Sequence, residues 1–204
     1  MKIRVLATVA ILLCSGSPIL AQKHEIAFTS GGLKTGDKSF DLPRPGLVKF
    51  RTGFTYEVNY ARRLLDAKIA SLYIEFPFAV TPRTKITTDN VLSPRSYSSF
   101  FFTPSAKVKL FPIGRYSPFA TIGIGVARLN PSSTRLDNQP NNDASAETEG
   151  VFQIGGGLDV KVISRLSLRG EVRDFYTEIP PLNLDALRKR QHNTLIAAGV
   201  VLRF

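Results

Sequence analysis

Eight stretches of this chain alternate apolar and polar residues with a period of two, and no other feature restricts its possible folds as strongly. They run over 24–34, 48–61, 67–80, 98–111, 116–129, 148–160, 165–178 and 192–204. In the seventh, Leu166, Leu168, Gly170 and Val172 share one face, and Ser167, Arg169, Glu171 and Arg173 share the other. In the sixth, Phe152, Ile154, Leu158 and Val160 oppose Gln153, Gly155, Gly157, Asp159 and Lys161. In the second, Phe50, Phe54, Tyr56, Val58 and Tyr60 oppose Lys49, Arg51, Thr55, Glu57 and Asn59. In the fourth, Phe100, Phe102, Ala106, Val108 and Leu110 oppose Thr103, Ser105, Lys107 and Lys109. A strand places successive side chains on opposite faces, whereas a helix would mix the two sets.

The connections alternate too. Arg62–Asp66, Pro112–Arg115 and Lys161–Ser164 are short, while Thr35–Leu47, Thr81–Tyr97, Asn130–Glu147 and Ile179–Gln191 are long and polar. Eight up-and-down antiparallel strands give this order when one end carries turns and the other carries loops. An even strand number lets the sheet close without a free edge and brings both chain ends to the turn side. The fold expected is therefore all-β, an eight-stranded antiparallel up-and-down barrel.

The first 21 residues read differently. Lys2 and Arg4 precede an apolar run from Val5 to Leu13, Pro18 breaks it, and Ala21 offers a small residue before Gln22. That is the pattern of a secretory signal peptide, leaving 22–204 as one barrel domain. Cys14 is the only cysteine and leaves with the signal, so the mature chain is expected to hold no disulfide and no thiolate site. Removing Lys2 and Arg4 from 27 basic residues leaves 25 against 16 acidic ones, a balance that fits contact with anionic lipid or ion pairing within the fold. No apolar run after residue 21 is long enough for a membrane helix.

Alternation alone leaves open which face is outside. A soluble barrel of the lipocalin kind has an apolar interior, and a membrane barrel is inverted. The polar face carries both signs at high density, in Arg51, Glu57, Glu75, Lys107, Lys109, Asp159, Lys161, Arg169, Glu171 and Arg173. These can neutralise one another across a narrow lumen. Aromatics lie towards strand ends, as Tyr60, Phe78, Phe100, Tyr116, Phe119 and Tyr176, in the manner of interfacial girdles.

The final strand, Thr194 to Phe204, ends on an aromatic with apolar residues at alternate positions before it. It resembles the terminal strand of bacterial outer-membrane barrels. The run Gly155–Arg173 is similar to the late hairpin of the small eight-stranded group, which includes the membrane domain of outer-membrane protein A and the opacity-type surface proteins. The resemblance implies a transmembrane barrel in the bacterial outer membrane, with Phe204 in the C-terminal signal read by the barrel assembly machinery. Since the chain stops at Phe204, the peptidoglycan-binding domain of the larger members is not expected.

Catalytic or metal chemistry finds little footing. Only His24 and His192 are present, and His192 lacks the His-x-Ser pattern of lipid A deacylases. Two distant histidines give no metal-ligand spacing, and Asp137, Asn138, Asn141, Asn142 and Asp143 are not spaced as a calcium loop. Gly155–Gly157 precede no helix and so cradle no phosphate. The basic run Arg188, Lys189, Arg190 on the last long loop is a candidate contact for lipopolysaccharide phosphates. No cofactor, no metal and no nucleic-acid partner is expected. The expected role is that of a monomer meeting outer-membrane lipid and lipopolysaccharide. It would have a structural or surface-interaction function in envelope integrity or adhesion, without catalysis. The alternative is a narrow channel for small solutes or ions.

Overall fold

The computed structural model describes residues 23–40, 46–88, 91, 93–142, 145–177 and 191–204. Its strands are β1 (His24–Thr35), β2 (Lys38–Phe40), β3 (Gly46–Phe50), β4 (Gly53–Asp66), β5 (Ala70–Thr87), β6 (Ser96–Phe102), β7 (Ser105–Leu110), β8 (Tyr116–Pro131), β9 (Glu147–Ile163), β10 (Leu166–Thr177) and β11 (Gln191–Arg203). All pairings are antiparallel, and β1 pairs with both β4 and β11, so the sheet closes. β6 and β7 both lie between β5 and β8 and form one stave. The ring thus has eight staves: β1, β4, β5, β6 with β7, β8, β9, β10 and β11. The signal-peptide segment lies outside the described residues.

The interruption between β6 and β7 falls at Thr103–Pro104, where proline removes a ladder donor. Backbone bonds bridge the gap, from Thr103 N to Pro77 O at 3.4 Å and from Ile124 N to Pro104 O at 3.2 Å. Several connections differ from expectation: β2 and the start of β3 fall in the first long one, and β9 runs to Ile163, which leaves the last turn to Ser164 and Arg165. β4 continues to Asp66 through a register shift between Arg63 and Leu65, so the turn is made by Ala67–Ile69 rather than Arg62–Asp66. β5 runs on to Thr87, which shortens the second long connection.

The faces are inverted relative to a soluble barrel. Ile124 is 72% exposed and Ile196 65%, while Glu75, Lys107 and Lys109 are each at 0%. Each large apolar side chain on that outer surface would cost about 1.5–3 kcal/mol in water. Hydrocarbon removes that penalty, so the outer surface is the lipid-facing one and the barrel is transmembrane.

Two members of the expected girdle lie elsewhere: Phe78 is in mid-strand, since β5 runs on to Thr87, and the other is Phe119. It faces the lumen, because Tyr116 points outward and a residue three further along a strand falls on the opposite face. Room for it comes from Gly157 on β9. A Cβ there would lie 2.3 Å from Gly170 O and 2.7 Å from Phe119 Cζ. Gly157→Val is expected to lower stability by about 1–3 kcal/mol in urea unfolding of the folded barrel. Gly150→Val, in the same strand with nothing within 4 Å of its Cβ, should leave the midpoint unchanged.

Candidate functional site

The inward face of the staves builds a column of charge in the turn-side part of the lumen. Nearest the turns, Glu25 on β1 and Asp159 on β9 face Lys109 on β7, Arg169 on β10 and Arg203 on β11. Glu25 Oε1 lies 2.6 Å from Lys109 Nζ and 3.1 Å from Arg203 Nε. Asp159 takes Arg169 on both oxygens, at 2.7 and 3.0 Å, and Lys109 at 2.7 Å. Aromatic faces complete the cage: Lys109 Nζ is 5.0 Å from the Tyr73 ring centre, and Arg169 Cζ is 4.6 Å from that of Phe119.

One step further in, a second cluster forms around Arg173 on β10. Its guanidinium reaches Glu75 at 2.9 Å, Glu171 at 3.0 Å and Glu57 at 3.3 Å. Hydroxyl and amide donors hold the carboxylates in place. Thr121 donates to Glu75 at 2.7 Å, Asn59 to Glu75 at 3.0 Å and Thr29 to Glu171 at 2.9 Å. Lys107 on β7 joins the clusters, 3.4 Å from Glu25 and 3.1 Å from Glu75. The turn-side cluster has one cation in excess and the inner cluster two carboxylates in excess, so Lys107 brings the whole column to neutrality. None of these side chains is more than 9% exposed. Neutrality matters here because a charge held out of water without a partner is strongly destabilising.

Above the charges sits an apolar layer of Leu33, Ala79, Phe101, Ala127, Val151, Phe175, Leu195 and Ala197. The Phe101 and Phe175 rings stack at 4.6 Å. Beyond it, Val48, Phe50, Ile86, Tyr97 and Leu129 pack at the loop end, where the Tyr97 and Thr35 hydroxyls are hydrogen-bonded at 2.9 Å. Two connecting segments interlock over this end. Arg95 N donates to Thr134 O at 3.0 Å, Leu136 N to Ser93 O at 3.0 Å, and Arg95 Nη1 to Asn138 Oδ1 at 3.1 Å.

Of the residues expected in the lumen, Glu57, Glu75, Lys107, Lys109, Asp159, Arg169, Glu171 and Arg173 come together as described. Arg51 does not. It is exposed between β3 and β4, where its backbone N bonds to Lys85 O at 3.0 Å. The break moves the alternation by one place, so that Phe50 is buried while Phe54 is exposed. Lys161 stands half-buried at the turn-side mouth, outside both clusters. Glu25 and Arg203, which the sequence reading had not singled out, are members. They sit opposite one another in the β1–β11 register, and each has the inward parity of its strand.

Phe204 is half-exposed and stacks on His24 with ring centres 5.7 Å apart. Backbone bonds between the same two residues, at 3.1 and 3.0 Å, fasten the ends of the ring. Arg188, Lys189 and Arg190 lie outside the described residues. His192 is on the outer face, with Nδ1 2.5 Å from Asp174 Oδ2. The neighbouring Thr194 hydroxyl donates to the same Asp174 at 3.3 Å and is not directed at the imidazole. The Asp137 carboxylate is engaged within its own loop by Arg135 at 3.1 Å and by Gln139 N at 3.0 Å. Among the described residues no three His, Cys, Asp or Glu side chains converge as metal ligands.

No protein-family model and no curated protein matches the chain. Solved structures do. Neisserial surface protein A aligns over 89% of this chain and 97% of its own, at 13% identity and a TM-score of 0.59. The outer membrane protein OprG from Pseudomonas aeruginosa aligns over 90% and 96%, at 12% identity and a TM-score of 0.54. The attachment invasion locus protein Ail of Yersinia pestis aligns over 88% and 99%, at 12% identity and a TM-score of 0.49. At these identities the likeness to the first two is one of fold, and the fold is that of the small eight-stranded outer-membrane barrels.

Proposed function

We propose that this chain is a closed structural barrel of the bacterial outer membrane, monomeric, with its turns towards the periplasm and its loops outward. Its role is in envelope integrity and surface interaction, and it carries out no catalysis. The observation that supports this most is the neutral column of five carboxylates and five cations, buried and mutually paired, under an apolar layer. An eight-stranded interior is just wide enough for its own side chains. Here those side chains are tied to each other, and a conducting path would need them free to exchange with passing ions. The interlocked segments at the loop end offer a firm surface for contacts with lipopolysaccharide or other partners. Against catalysis stands the Thr194 hydroxyl, which is bonded to Asp174 and is not placed as a nucleophile for His192.

The test is conductance across planar bilayers of the refolded protein, after its unboiled electrophoretic band has shown that it is folded. Wild type is expected to give no stable conducting steps. Regular steps whose ion selectivity changes with Glu57→Gln would replace the structural reading by that of a narrow channel.

A further inference from the structure

A cleft of about 800 Å³ opens on the lipid-facing surface at the turn end of the barrel, between the β7–β8 and β9–β10 turns. Its lining is apolar in part, with Ile113 at 76%, Val162 at 56% and Leu168 at 52% exposure. Arg115, Lys161 and Ser164 line it as well. The cleft is fixed at its base, because Lys161 N donates to Arg115 O at 2.8 Å and joins β9 to the β7–β8 turn. Arg115 leans over the Tyr116 ring, 5.8 Å from guanidinium carbon to ring centre.

Two observations place this cleft at the level of lipid headgroups. Aromatic rings gather around the turn end of the outer surface, where Phe204, His24, Tyr60 and Phe76 stack one on the next at 5.7, 5.9 and 6.3 Å. Such a belt marks the boundary between hydrocarbon and water. Outside the lumen the same end is strongly basic: among the described residues Lys23, Arg62, Arg63, Lys68, Arg115 and Lys161 stand against Asp66 alone, which is paired with Arg63 at 3.0 Å. The loop end, by contrast, carries both signs, with Asp37, Asp137, Glu147 and Asp174 among its cations.

We propose that the cleft binds one anionic glycerophospholipid of the leaflet on the turn side. Its phosphate would lie between Arg115 and Lys161, and an acyl chain would follow the Val162 and Leu168 lining. Charge complementarity selects the headgroup, because two cations at one boundary favour a net negative lipid over a zwitterionic one. The apolar part of the lining selects a lipid over a free anion, since it adds burial that phosphate alone cannot use. Naming the leaflet rests on the orientation proposed above. The binding chemistry does not.

Native mass spectrometry of the full folded protein in detergent tests the site with dioleoyl phosphatidylglycerol against dioleoyl phosphatidylcholine. Wild type should retain the phosphatidylglycerol adduct about tenfold more than the phosphatidylcholine one, and the preference should fall as ionic strength rises. Arg115→Gln with Lys161→Gln should abolish the preference, while the loop-end pair Lys34→Gln with Arg83→Gln should preserve it. Equal retention of the two lipids by wild type overturns the proposal without needing any variant. A preference unchanged by the Arg115/Lys161 pair also overturns it, as does its complete loss to millimolar inorganic phosphate, which would make the site one for a free anion. The unboiled band shift, read on the same samples, reports separately on the barrel reading.

Discussion

Replacing Arg173 with methionine should lower the stability of the folded barrel by about 3–5 kcal/mol. Arg173 is fully buried and, among the described residues, is the one cation in contact with both Glu57 and Glu171. Without it, three carboxylates face one another in a space closed to water, and Lys107 reaches only Glu75 among them. The loss should appear as an earlier urea midpoint for the disappearance of the fast-migrating unboiled band. Adding Glu57→Gln and Glu171→Gln to Arg173→Met should restore a large part of it, because truncating one partner is costly mainly through the charge left behind. A loss below about 1 kcal/mol, the range of exposed ion pairs, would mean that the lumen is open to water, and the closed-barrel reading would fall with it.

Much of this arrangement is legible in the sequence, because parity along a strand needs no knowledge of the partner strand. Glu75, Lys107, Asp159 and Arg169 follow from it directly, and so does their confinement to a lumen once the ring closes. Parity applied to the chain ends would also have found Glu25 and Arg203, since each shares its face with small or polar neighbours such as Thr29 and Gly199. What parity cannot see is a break in the strand. The discontinuity at Arg51–Thr52 sets the alternation of 48–50 apart from that of 53–61, which is why Arg51 stands outside and Phe50 inside. Phe119 departs for a different reason: by residue type it reads as a girdle aromatic, although its odd spacing from Tyr116 requires the opposite face. Which carboxylate meets which cation depends on the stagger between staves far apart in the chain. The pair Lys109–Glu25, for example, is set by the accumulated register of three intervening strand pairings.

The apolar layer supplies the second large effect. Phe175→Ala should cost about 3–5 kcal/mol, as for other buried aromatic truncations. Phe175 is at 0% exposure and its stacking partner Phe101 at 1%, so the vacated volume is walled by neighbours already fixed in strands and cannot easily collapse. The conservative Phe175→Leu should retain more than half of that stability on the same urea assay. The two layers also make separable predictions about sealing. If the charged column closes the lumen by itself, Phe175→Ala in planar bilayers will remain silent despite its lower unfolding midpoint. If the apolar layer is the seal, the same variant will conduct, and the ion pairs below it must then be able to yield to passing ions. Combining Phe175→Ala with Arg173→Met resolves the remaining ambiguity. Conductance in the double variant alone would show that each layer closes the lumen independently, which is the outcome the paired charges and the stacked rings together predict.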